Sequence, residues 1–101
     1  FQKAIKLETL EGQDLAAVHN AMGFAYFAQE QYDLAIRTYK DAIKLAPDYV
    51  TALNNLGHAY ERKQLAAQAL EAYEQSLSHD PNNQTAKRRA DTLRKRFVTS
   101  P

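Results

Sequence analysis

The side chains able to do chemistry are few, and their spacing does not assemble a catalyst. Histidine stands at positions 19, 58 and 79. No two of these are four apart on one helix face, and none has carboxylates at ligand spacing, so zinc is not expected. His19 reads as a large packing residue, and His79 as a helix C-terminal residue, where partial positive charge is favoured. Ser76, Ser78 and Ser100 lie outside any G-x-S-x-G elbow. The glycines, at 12, 23 and 57, are isolated, so no glycine-rich loop cradles a phosphate. Glu71 and Glu74 share an outer helical face and serve solvation. The absence of cysteine removes a disulfide framework and a thiolate metal site. The chain is expected to catalyse nothing and to hold no metal or cofactor.

Charge is the next candidate for function. The net charge of +1 conceals an asymmetry: residues 1–83 hold seven Lys/Arg against eleven Asp/Glu, and residues 84–101 hold six against Asp91 alone. A basic stretch from Lys87 to Arg96 can attract nucleic acid. Here no aromatic interleaves the charges and the rest of the chain is acidic, so nucleic acid is not the expected partner. A helix with one apolar stripe must be polar elsewhere, which accounts for most of the run.

These residues are positioned by a repeat. A shift of 34 residues superimposes Met22-Gly23 on Leu56-Gly57, Tyr26 on Tyr60, Ala35 on Ala69, Tyr39 on Tyr73, Ile43 on Leu77 and Pro47 on Pro81. Positions 19, 22, 23 and 26 recur at helical spacing, as do 35, 39, 42 and 43, which predicts paired amphipathic helices. Gly23 and Gly57 permit close approach of the two helices, with Ala35 and Ala69 expected opposite them. Pro47 and Pro81 cannot continue a helix; Asp48 and Asn82-Asn83 then offer capping oxygens. Four of the six tyrosines fall on recurring core positions, so packing explains them.

The pattern, a large residue followed by L-G-x-x-Y, then A-x-x-x-F and a closing Pro, resembles the tetratricopeptide repeat (TPR). His19 and Leu53 stand where Trp is usual. The resemblance implies an all-α fold of helix-turn-helix repeats stacked into a short right-handed solenoid with a C-terminal capping helix. Helices are predicted over 14–29, 33–46, 49–63, 67–79 and 84–97. A loop is expected at Thr9 to Gln13, with Gly12 as breaker and Asp14 as N-cap. The single domain then comprises the end of a preceding repeat and its loop (1–13), full repeats at 16–49 and 50–83, a capping helix at 84–97 and a tail at 98–101. The opening Phe1-Gln2-Lys3-Ala4-Ile5 reads as mid-helix, so any membrane attachment is expected from an upstream segment.

In this fold the concave surface is the binding surface. Its exposed positions give Ala17, Asn20, Ala21, Phe24, Phe27 and Ala28 in the first repeat, Thr51, Asn54, Asn55, His58, Glu61 and Arg62 in the second, and Thr85, Arg88, Arg89, Thr92, Lys95 and Arg96 on the cap. Those expected to hold a partner are Asn20, Phe24, Phe27, Asn54, Asn55, His58, Arg62, Arg88, Arg89 and Lys95. The expected groove therefore runs from apolar through amide-rich to cationic. Asn54 and Asn55 are expected to pair with a peptide backbone, and Arg88 and Arg89 with an acidic side chain or a C-terminal carboxylate. TPR co-chaperones use a carboxylate clamp whose positions match Asn20, Phe24, Asn55, Thr85 and Arg89 here. Only Asn55 and Arg89 agree in type, so a clamp for a chaperone tail is not expected.

His19-Asn20-Ala21-Met22-Gly23-Phe24-Ala25-Tyr26-Phe27, Pro47-Asp48-Tyr49-Val50-Thr51-Ala52-Leu53-Asn54-Asn55-Leu56 and Asp80-Pro81-Asn82-Asn83 resemble the photosystem I assembly TPR family of cyanobacteria and plastids. That likeness implies a protein-binding assembly factor at the stromal or cytoplasmic face of the thylakoid, with photosystem subunits or other assembly factors as partners. The alternatives are a photosystem II assembly or repair factor, and a general TPR adaptor or co-chaperone.

Overall fold

The computed structural model describes residues 2–99, with side chains placed over 14–97. It contains five helices: α1 (Gln2–Ala28), α2 (Tyr32–Leu45), α3 (Val50–Arg62), α4 (Ala66–His79) and α5 (Gln84–Thr99). No strand occurs among the described residues. Each helix packs on the next in sequence and α1 also touches α3. The result is a stack of helical hairpins, 62 × 30 × 17 Å.

Two kinds of turn alternate. Between α1 and α2, Glu30 adopts φ 62°, and between α3 and α4, Gln64 adopts φ 63°. In both turns the next residue's N–H reaches back five positions: Gln31 donates to the Tyr26 carbonyl and Leu65 to the Tyr60 carbonyl, each at 2.9 Å. This is the left-handed C-terminal cap that satisfies helix-end carbonyls. The other two connections contain Pro47 and Pro81. There Asn83 caps α5, its side-chain oxygen accepting the Ala86 N–H at 2.9 Å. Asp48 does not play the matching part, because Tyr49 is the N-cap of α3 and no side chain bonds there.

The core is built from small residues around two rings. Tyr39 and Tyr73 are fully buried, surrounded by Ala35, Ala59, Ala69, Ala86, Ala90 and Leu93. The rings, rather than Ala35 and Ala69, face the glycines. A Cβ on Gly23 would lie 2.6 Å from Tyr39 ring carbons, and one on Gly57 2.6 Å from those of Tyr73. The tyrosine stands one turn beyond the alanine, and only its ring reaches the neighbouring helix backbone.

Two expectations change. The chain is helical through Thr9 to Gln13; one glycine costs a helix about 1 kcal/mol, too little to break it. Asp14 is accordingly inside α1 and caps nothing. Residues 98 and 99, expected to open a tail, belong to α5, and Phe1, Ser100 and Pro101 lie outside the described residues.

The repeat register also exposes a difference between equivalent faces. Ala52, Leu56 and Ala59 on α3 are buried, as are Ala86, Ala90 and Leu93 on α5. Val18 and Met22, the α1 residues in register with Ala52 and Leu56, are 50% and 44% exposed. Among the described residues, no helix packs on α1 as α2 packs on α3. No helix among the described residues is long and apolar enough to cross a membrane.

Candidate partner-binding groove

The inner face begins at α1. Phe24 and Phe27 stand three apart, one helical turn, and with Tyr39, Asn55 and His58 they line a cleft of about 60 Å³. Phe24 is 60% exposed. Burial pushes the Tyr39 phenol up to about 12. A wider cleft of about 420 Å³ adjoins it, lined by Phe27, His58, Glu61, Arg62 and Arg89. Phe27 and His58 belong to both, so the two form one continuous groove across α1, α3 and α5. The Phe27 ring is held edge-on to Tyr32 at 5.4 Å and carries the Arg62 guanidinium at 5.7 Å.

The amides are already committed to the fold. Asn55 donates to the Asn20 side-chain oxygen at 3.0 Å, tying α3 to α1. Asn54 donates at 3.1 Å to the Asn83 oxygen that caps α5. Asn54 therefore locks a helix start, which changes its expected part in the groove. Asn55 keeps a second amide hydrogen and its oxygen.

The cationic end is more altered. Arg89 grips Glu61 in a two-point ion pair, its Nε 3.0 Å from Oε2 and its Nη2 on Oε1. The same carboxylate accepts the Tyr73 hydroxyl at 2.6 Å, and that hydroxyl lies 2.9 Å from His58 Nδ1. With Tyr73 donating to Glu61, its oxygen accepts from His58, which assigns the imidazole proton to Nδ1. Burial works to raise the Glu61 pKa, but the hydrogen bonds from Arg89 and Tyr73 and the guanidinium charge outweigh it and hold the carboxyl below its ordinary value. Burial, opposed by Glu61 and aided by Arg89 and Arg62, lowers His58. Tyr73 is raised, first by burial and then by the carboxylate it bonds.

The expected seat for an acidic partner on Arg89 is thus filled from within. Two-point pairing with a carboxylate is the strong mode for arginine, and Glu61, three residues after His58 on α3, is placed to supply it. Arg88 and Lys95 are exposed on α5 and line neither cleft. Sequence reasoning placed Glu61 on the concave surface but not as the partner of Arg89, and it missed Tyr39 and Tyr73 as groove residues. The available signal was register: Tyr39 with Phe24 and Phe27 matches Tyr73 with His58 and Glu61, position for position.

Comparison with known proteins agrees with this architecture. The TPR repeat family profile matches residues 23–64, and the tetratricopeptide repeat profile residues 50–83. The chain is 46% identical over 96 residues to the chloroplastic tetratricopeptide repeat domain-containing protein PYG7 of Arabidopsis thaliana, covering 95% of this chain and 32% of that protein. It is 40% identical over 93 residues to the uncharacterized protein ycf37 of Cyanophora paradoxa, covering 92% and 54%. The chain therefore spans between about a third and just over half the length of these relatives. Among solved structures, the second TPR of Spaghetti (RPAP3), bound to the HSP90 peptide SRMEEVD, superimposes with a TM-score of 0.83 at 22% identity, covering 90% of this chain and 84% of that one. At that identity the likeness is one of fold. Two repeat profiles together running from residue 23 to 83, and a stack of five helices shared with solved TPR domains, establish that the chain belongs to the tetratricopeptide repeat proteins.

Proposed function

We propose that this chain is an interaction scaffold that holds a partner polypeptide in its concave groove during photosystem assembly, with photosystem I as the first expectation. The observation that carries the scaffold reading is the open cleft of Phe24 and Phe27. Phe24 leaves more than half its surface in water beside a polar network that is internally satisfied. Large exposed apolar residues beside a concavity are the usual mark of a docking surface. The photosynthetic setting is supported by the relatives, of which PYG7 is chloroplastic. On this reading the groove faces the stroma of a plastid or the cytoplasm of a cyanobacterium, beside the thylakoid.

The test is affinity capture from solubilised thylakoid membranes with the full-length protein, alongside a Phe24→Ser, Phe27→Ser variant. Photosystem I subunits enriched by the parent and lost with the variant are the expected result. Enrichment of photosystem II components redirects the reading to that complex. Recovery of neither sinks the photosystem assignment and leaves a general adaptor.

A further inference from the structure

The two repeats present one framework with two different linings. In the second, Tyr73 is enclosed by His58 and Glu61, and both satisfy its hydroxyl. In the first, Phe24 and Phe27 take those two positions and offer the equivalent Tyr39 nothing to bond. Tyr39 is 1% exposed and lines the small cleft, and its hydroxyl meets no partner among the described residues. A hydroxyl at the wall of a cleft with no acceptor in the protein is free to donate to a ligand, and a peptide carbonyl entering the cleft would accept from it. Asn55, on the same wall, retains a donor and an acceptor after bonding Asn20. A volume of about 60 Å³ suits one aliphatic side chain.

The neighbouring cleft has the opposite character. A ligand carboxylate can reach Arg89 only by displacing Glu61, whose side chain is 17% exposed. The displaced carboxylate would lose the Arg89 pair and face the incoming charge at close range. From these two linings we propose that the groove takes an extended peptide through one apolar side chain seated between Phe24 and Phe27, its backbone carbonyl accepting from Tyr39. Glu61 acts as a built-in occupant of Arg89 that keeps acidic chains out. The proposal rests on the groove being a peptide site, as in the scaffold reading above.

The test pans a random dodecapeptide library displayed on phage against the full-length protein and its Glu61→Ala variant, with selected peptides then measured by fluorescence anisotropy. The parent should select an aliphatic position with no excess of Asp or Glu. Glu61→Ala should select acidic peptides and bind them about tenfold tighter than the parent does, the size of one charge-assisted pair. Adding Arg89→Ala should abolish that gain. Tyr39→Phe, which removes only the hydroxyl, should weaken the parent's peptides about fivefold, the worth of one net hydrogen bond. Glu61→Gln replaces Glu61→Ala if circular dichroism shows that the alanine variant loses helix. An acidic selection by the parent, the same selection by parent and variant, or an unchanged affinity in Tyr39→Phe overturns the proposal while leaving the groove a peptide site. Failure of every form to enrich any peptide overturns the peptide-site reading itself.

Discussion

A single methyl group tests the glycines. Alanine is the better helix former by about 1 kcal/mol, yet a Cβ on Gly57 would sit 2.6 Å from the buried Tyr73 ring. Overpacking a rigid core costs about 1–3 kcal/mol, so Gly57→Ala should lose stability on balance, read as a lower urea midpoint with unchanged slope. The polar cluster beside that ring makes a second prediction. His58 and Glu61 are both held below their ordinary values of 6.5 and 4.5, so each binds its proton more readily in the unfolded chain. Acid therefore favours unfolding. The contribution of His58 is complete above 6.5 and is lost as pH falls through its lower folded value; that of Glu61 is complete above 4.5 and is lost below. The urea midpoint should fall in two steps on acidification, the first absent in His58→Gln and the second in Glu61→Gln. A midpoint flat from pH 7 to 5 would contradict the burial argument for His58.

At the scale of the element, the left-handed turns are the informative pieces. Glu30 and Gln64 occupy positions where a side chain costs about 1–2 kcal/mol and glycine is the usual choice. Gln64→Gly should stabilise the fold by roughly 0.5–1 kcal/mol once the greater freedom of glycine in the unfolded chain is deducted, read as a higher thermal midpoint. Helices were the legible part of this sequence. Proline at 47 and 81, apolar spacing of 3.6 and a period of 34 each leave a mark within one or two turns. What was not legible depends on distance. Asn54 looked like a groove amide because nothing near it announces Asn83, 29 residues on. Arg89 looked like an open cation because its partner Glu61 lies 28 residues back on another helix. The helical run through Gly12 was hidden because a residue that weakens a helix and one that ends it are the same letter.

For the whole molecule, the stack makes equivalent positions inequivalent. Met22 and Leu56 share a place in the repeat, but only Leu56 is covered. In a chain of these 101 residues, Leu56→Ala should cost about 2–5 kcal/mol and Met22→Ala no more than about 0.5 kcal/mol, compared by denaturant unfolding. Equal costs would mean that α1 is covered in solution. The different linings around Tyr39 and Tyr73 have a consequence for any chain lying along the groove. A perfectly periodic track is degenerate: a ligand shifted by one unit meets the same surface and gains nothing by choosing. Here a slip from the first unit to the second carries an aliphatic side chain from two phenylalanines onto an imidazole and an ion pair. The backbone supplies the ruler and the side chains supply the zero mark, so under the proposed binding mode a bound segment has one phase along the scaffold.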